Sequence, residues 1–403
     1  MAPRLVLFDD TIARQWDPFT LTRPAGELRF GAWKLVERVE RALGLDCIGH
    51  IAADHLDDFS EPAARAVLRI DELAKDRDHL FWCSRAAVEL DQTITIPEEP
   101  AIFLVGGSPV GLYVPAGQRP DDAFLTSLDV GSSKLPEISV AGRVLDRVWD
   151  LTLETPDQLI RDLAELPDSE RDDLPAGVYC LGANPLILGQ GVRIEPGTVF
   201  DTRGGPISVG DGAEIRAGTR LAGPSAVGPH SRLLGDSFER ISTGPYSYLH
   251  GEVSDTVVLG YSNKAHDGYI GHAYLGKWVN LGAFTTNSDL KNNYRPVRIQ
   301  TPSGVENTGR LKIGCFLGDH VKTGIGLLLS TGTVVGAGAN LYGSVMPPSY
   351  VEPFSWGQGD NLGEYRLAEF LDAAQTAMVR RGVELDERGR RFLEACWRKG
   401  RGG

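Results

Sequence analysis

A chain of 403 residues, 42% apolar and 24% charged, is too long for one ordinary core and has the composition of a globular protein, so two domains plus an appendage are expected. Its formal charge of −13 excludes a broad nucleic-acid surface, which needs clustered Lys and Arg, while leaving room for a local basic pocket that takes small anions. The five cysteines stand singly, with no C-x-x-C pair, and "MAPRLVLFDD" meets two aspartates before a secretory apolar run can form, so a reducing cytoplasm is expected without structural zinc or disulfides.

Residues 1 to about 155 alternate short apolar runs ("RLVLF", "AIFLV", "GLYVP") with helical patterns. In "GAWKLVERVERALG" the spacing puts Trp33, Val36, Val39 and Leu43 near one face. The alternation predicts an α/β domain with a largely parallel sheet. "ETPDQLIRDLAEL" predicts a helix with Thr155 as N-cap and Pro156 at its first position. The charged, proline-bounded "PDSERDDLPAG" follows, and the boundary is placed near residue 175, giving a first domain over 1–175.

From there the chain repeats every six residues. Hexads begin at Leu188, Ile194, Val209, Ile215, Leu221 and Val227, return at Leu275 and Leu281, and return again at Leu317, Thr323, Leu329, Val335 and Leu341. An aliphatic residue first and small residues second and fifth are the hexapeptide signature of a parallel β-helix over 176–350, three hexads to a triangular coil. Thr323 is a polar exception in an inward slot. Gly324 to Met346 carry no charge, but their Gly, Ser, Thr and six-residue beat mark buried solenoid rather than a membrane span. The tail, 351–403, has helical periodicity through Phe370, Ala374 and Met378 and then Phe392, Leu393 and Cys396; Asn361 and Glu364 have the spacing of a capping box. These helices are expected to brace the solenoid.

The beat breaks inside "YSNKAHDGYIGHAYLGKWVNLGAFTTNSDLKNNYRP", where the reactive side chains gather. With its flanks, this stretch resembles the acetyltransferase half of the bifunctional N-acetylglucosamine-1-phosphate uridyltransferase / glucosamine-1-phosphate acetyltransferase family. "LVLFDDTIARQWDPFTLTRPAGELRFGAWKLVERVE" is similar to the N-terminal domain of a divergent branch of that family, named as sugar nucleotidyltransferases. The resemblance implies a nucleotidyltransferase-like domain, a left-handed β-helix, acetyl-CoA as acyl donor and a homotrimer with active sites between subunits. It puts the catalytic histidine at His266, with Tyr269 beside it, and the acceptor-binding positions at Asn280, Asn293, Tyr294 and Arg295. A lysine of the better-known branch is Ser254 here and "SDLKN" is inserted before Asn293, so Lys264, Lys291 or Arg298 would hold the acceptor's phosphate.

Acetyl transfer from a thioester to an amine needs a base for the ammonium proton, and imidazole, which titrates near neutrality, suits it. Asp267 or a carbonyl would orient His266, while Asn280, Asn287, Asn292 and Asn293 offer uncharged partners for sugar hydroxyls and Lys or Arg suit a phosphate. His230, His250, His272 and His320 lack the motif and are expected at the surface or in subunit contacts. In the first domain the glycine-rich loop that cradles a triphosphate is missing, since the first glycine is Gly26. Arg14, Arg23, Glu27 and Arg29 stand in its place as nucleotide-binding candidates for UTP or dTTP with Mg²⁺, or as structural ion pairs; Asp9 and Asp10 are metal ligands or a strand end. Three readings result: a bifunctional enzyme making an activated amino sugar, an acetyltransferase with a non-catalytic first domain, or a trimeric scaffold without turnover.

Overall fold

The computed structural model describes residues 2–402 apart from 121, 132, 133, 165 and 170–173, so part of the expected linker lies outside the described residues. The first domain is built on a six-stranded sheet. Arg4–Phe8 lies parallel to the edge strand Cys47–Ile51 on one side and to His79–Cys83 on the other. Ser108–Val114 and Ala101–Val105 then form an antiparallel hairpin, and Glu137–Val140 adds a parallel edge. The sheet is therefore mixed rather than largely parallel, because Gly106 and Gly107, both at positive φ, close a tight turn that sets the two flanking strands antiparallel. Helix α1 (Leu35–Leu43) buries Val36, Val39 and Leu43, with Trp33 just outside it. Helix α2 (Thr155–Ala164) begins at Thr155 itself; a preceding turn of helix over Asp150–Leu153 leads into it, and the Thr155 hydroxyl bonds the Leu151 carbonyl instead of capping.

The second part is the expected left-handed β-helix. Its coils run through three parallel sheets, here faces A, B and C. Face A runs from Tyr179–Leu181 to Ile270–Gly271, face B from Leu186–Leu188 to Tyr350–Val351, and face C from Arg193–Ile194 to Ser355–Gln358. Leu275, Leu281, Leu317, Leu329, Val335 and Leu341 point into one continuous apolar prism. Thr323 is tolerated there because its hydroxyl meets that of Thr285 at 2.7 Å and accepts the Gly282 amide. At the corner between faces B and C, His230, Tyr246, Tyr261, Trp278 and His320 all have φ between +54° and +64°. Their rings form a ladder with centroids 4.4–6.2 Å apart, which offsets the left-handed backbone. Burial pushes the His320 imidazole down to about 3.

The three parts share cores. Trp16, Phe19, Phe30, Val148 and Trp149 of the first domain pack on Leu259, Tyr274, Phe316 and Val334 of face B. Asn361–Glu364 forms a strand that folds back on Ser355–Gln358, not a helix cap, because Gly359 at φ +52° makes a hairpin that local spacing does not reveal. Helices α3 (Leu367–Val379) and α4 (Glu387–Gly400) bury Phe370, Met378, Phe392, Leu393 and Cys396 against Trp278, Phe354 and, from the first domain, Leu56 and Phe59. They brace the flank of the solenoid and its partner domain together. Among the described residues no helix is long and apolar enough to cross a membrane.

Candidate acyl-transfer and nucleotide sites

His266 and Asp267 lie in the turn from face C to face A, after Asn263–Lys264 and before Ile270–Gly271. His266 is exposed, and its imidazole has no hydrogen-bond partner among the described residues. Lys264 is buried beneath it. Its ammonium donates to the His250 carbonyl at 2.6 Å and the His266 carbonyl at 2.7 Å, and burial pulls its pKa down to about 8. Lys264 thus holds the turn in shape and does not reach outward for a phosphate. Asp267 does not orient His266 either; its carboxylate lies 3.1 Å from His250 Nδ1. Asp236, His250 and Asp267 bring one ligand atom each within 4.8 Å of one another, a set able to hold a divalent cation beside the His266 turn.

Tyr269 leaves the same turn and lies across face A, so closely over Gly271 that a Cβ there would overlap its hydroxyl. Its OH donates to Asp289 at 2.8 Å and lies 3.2 Å from Ser254 Oγ; burial and Asp289 raise its pKa. Asp289 also takes Nδ1 of His272 at 2.8 Å, and His272 Nε2 faces Asp255 at 3.7 Å. His272 and Asp289, a histidine with an orienting carboxylate, were not singled out from sequence as a pair. His272 is a corner residue at φ +48°, and only the coil geometry shows that the inserted "SDL" returns to it.

The insertion is an arm between Asn287 and Gly314, at the turn from face A to face B. Asn287 is buried and bonds both the amide and the carbonyl of Gly271 at 2.9 Å, so it anchors the arm and does not face a ligand. Lys291 donates to the Pro296 carbonyl at 3.1 Å, and Asn293 accepts the Arg295 amide at 3.2 Å. Asn292, Asn293, Tyr294 and Arg295 are exposed. Lys291, Asn292 and Asn293 border an open cavity of about 450 Å³ together with Leu329, Ser330 and Thr331. Asn280 stands apart on face C, hydrogen-bonded to Asn263 at 3.1 Å. The residues expected at one site therefore occupy two edges of face A and part of face C; among the described residues, Tyr269 bridges the His266 turn to the root of the arm.

In the first domain, open α/β sheets bind ligands beyond the carboxyl ends of the strands. Here that edge is closed. Asp10 forms a two-pronged pair with Arg85, at 2.7 Å for the shorter contact, and accepts the Ala13 amide, while Asp9 accepts the Ala25 amide. Burial raises Asp9, whose Oδ1 has no hydrogen-bond partner among the described residues. One free oxygen does not make a Mg²⁺ site, so Asp9 and Asp10 are a strand end. Arg14 is exposed and bonds the Asp9 carbonyl. Arg23, fully buried, pairs with Asp319 of the solenoid at 2.5 Å. For Glu27, burial alone would raise the pKa, but His50 and Lys34 hold it well below the usual carboxylate range. Arg29 bonds Ser242 Oγ and the Ala32 carbonyl and has no carboxylate partner among the described residues; desolvation lowers its pKa. Arg23, Glu27, Arg29, Lys34 and Lys277 border a cavity of about 400 Å³ between the domain and the solenoid. Arg23 and Glu27 are thus held by protein partners, and Arg29 is the guanidinium of this set with capacity left for an anion.

Parts of the chain resemble known proteins. Residues 5–171 match the sugar nucleotidyl transferase family. A bifunctional sugar-1-phosphate nucleotidylyltransferase/acetyltransferase of Sulfurisphaera tokodaii is 31% identical over 146 residues, 34% of this chain and 35% of its own length. The bifunctional protein GlmU of Bordetella parapertussis is 29% identical over 254 residues, 58% of this chain and 49% of its own. Among solved structures, a UDP-N-acetylglucosamine acyltransferase from Campylobacter jejuni aligns over 55% of this chain and 89% of its own, at 13% identity and a TM-score of 0.27. The matches to the two curated relatives span half or less of those proteins. Residues 5–171 thus resemble the sugar nucleotidyl transferase family, and the chain that carries them is similar to bifunctional nucleotidylyltransferase/acetyltransferase proteins.

Proposed function

We propose that this chain is a cytoplasmic sugar-phosphate transferase of the bifunctional type, which acetylates an amino-sugar phosphate from acetyl-CoA at the solenoid and serves nucleotide-sugar synthesis. The observation that carries this reading is the exposed imidazole of His266, without a partner among the described residues, on a turn held by Lys264. A positioned base on a stiff support is what aminolysis of a thioester needs: the imidazole takes one proton from the ammonium, the free amine adds to the thioester carbon, and the C–S bond breaks as the second nitrogen proton passes to the departing coenzyme A sulfur. The exposed Asn292, Asn293, Tyr294 and Arg295 of the arm would hold the acceptor, and Tyr269 would link base and arm. Because the His266 turn and the arm flank opposite edges of face A, a second copy docked along that face would bring one chain's turn to the other's arm. We therefore place the site between subunits of a homotrimer. The direct test is formation of N-acetylated product from acetyl-CoA and glucosamine-1-phosphate by the purified chain; absence of any acetylated amino-sugar phosphate removes the reading.

A second reading, an acetyltransferase whose first domain does not turn over nucleotide, is favoured by the Asp10–Arg85 closure and by the engagement of Arg23 with Asp319. Titration of UTP and dTTP with Mg²⁺ separates the two. Tight binding lost in Arg29→Ala supports nucleotidyl chemistry at the domain junction, and no binding supports the second reading.

A further inference from the structure

A cavity of about 630 Å³ lies between face C and helix α3; it shares Asn280 with the residues described above and Tyr261 with the wall of the domain-junction cavity. The chain carries −13 overall, yet three cations converge here: Lys322 from the solenoid, and Arg380 and Arg381 from the end of α3. None of the three has an ion pair among the described residues, and Asp372 is the one acid on the cavity wall. Arg381 places its guanidinium 3.9 Å over the Tyr248 ring, while Arg232 approaches that ring at 4.8 Å. The Arg381 Nε is buried without a hydrogen-bond partner. Burial and the neighbouring Arg380 pull Lys322 down to about 8. Cations at a helix C-terminus are ordinarily explained by the helix dipole, and that accounts for Arg380 and Arg381. It does not account for Lys322, which belongs to another element and is brought toward like charges under partial burial, an arrangement that is unfavourable until an anion joins it.

We propose that this cavity is a binding site for a phosphorylated small molecule, with the phosphate held by Lys322, Arg380 and Arg381 and a ring-shaped polar body set against Tyr261, Trp278 and the Asn263–Asn280 amide pair. The volume is that of an ordinary small-molecule site. Guanidinium forks supply charge-assisted bonds to phosphate oxygens, and stacked rings with adjacent amides suit a sugar or a base. The site gives the C-terminal helices a role beyond bracing, since α3 supplies two of its three cations. It does not depend on acyl transfer at His266.

The test is isothermal titration of the full chain with inorganic phosphate, glucosamine-1-phosphate, UDP and coenzyme A. At least one probe binds the wild type, and Lys322→Gln and Arg381→Gln each weaken that binding about tenfold or more, the worth of one charge-assisted hydrogen bond. His266→Ala leaves it unchanged, so failure here is distinguishable from failure of the acyl-transfer reading. The order of affinities tells a nucleotide from a sugar phosphate. Should Arg381→Gln lower the melting temperature, Lys322→Gln decides alone, because its side chain closes no helix. Binding of none of the probes, or binding indifferent to Lys322→Gln, overturns the proposal.

Discussion

Asp319→Ala is the perturbation that separates a structural Arg23 from a nucleotide-binding one. The Asp319 carboxylate accepts from Thr22 Oγ1 at 2.7 Å, from Arg23 Nε at 3.0 Å and Nη2 at 2.5 Å, and from the Lys277 amide at 2.7 Å. Both charged side chains are 2% exposed, so water cannot replace the lost partner. Removing one member of a buried pair costs about 3–5 kcal/mol, because the remaining charge is uncompensated. Glu61 and Glu27 still act on Arg23 through space, which places the expected loss near the lower end, about 3 kcal/mol. That is about a hundredfold in the folding equilibrium. Urea unfolding followed by tryptophan fluorescence measures it, with Arg23→Met/Asp319→Leu as the companion variant. The double variant should recover much of the loss, since two apolar groups leave no buried charge. A cost below about 1 kcal/mol, the range of an exposed pair, would refute the reasoning.

Three further outcomes are expected. Burial and Glu352 raise Asp17 to about 6, so its folded pKa lies above the unfolded value and the ionised form is the disfavoured one; stability is lost as pH rises from about 4 to about 6. Asp17→Asn should therefore melt higher than wild type at pH 7.5, with the gap closing below about pH 4, and a gap independent of pH would contradict this assignment. Sedimentation velocity at micromolar concentration should show a trimer; a stable monomer removes the shared site. Asn293→Ala and Arg295→Ala should raise KM for the amino-sugar phosphate several-fold with little change in kcat, because they would hold the acceptor in ground and transition states alike.

The solenoid was legible because its signal is local and repeated: an aliphatic residue at every sixth position must point inward, and even Thr323 kept register once Thr285 met its hydroxyl. Single local matches fared worse. Asn361 and Glu364 satisfy the spacing of a capping box but belong to a strand, and Thr155 caps nothing because helix already precedes it. Partners distant in sequence were beyond reach. Arg23 finds Asp319 only because the first domain lies on face B, and Lys322 meets Arg380 only because α3 folds back over face C. At the candidate site, His266 was expected to be oriented by Asp267 or a carbonyl, yet its imidazole bonds nothing among the described residues, and Lys264 and Asn287 had been read as ligand-facing and are instead drawn inward by backbone carbonyls and amides of neighbouring coils. A six-residue repeat says which side chains point in. It does not say which polar ones are captured there.

The central claim is that His266 is the base for acetyl transfer, and steady-state transfer from acetyl-CoA to glucosamine-1-phosphate by His266→Ala tests it most directly. Because the residue is exposed and its side chain bonds nothing among the described residues, the variant should fold, melt and assemble like wild type. Its kcat/KM should fall by roughly 10²–10⁴-fold, the worth of a positioned base, with the loss in kcat. His272→Ala, measured beside it, guards against the neighbouring histidine that Asp289 orients. Near-normal turnover in His266→Ala, with the activity lost in His272→Ala instead, would contradict the account and move the base to the other edge of face A.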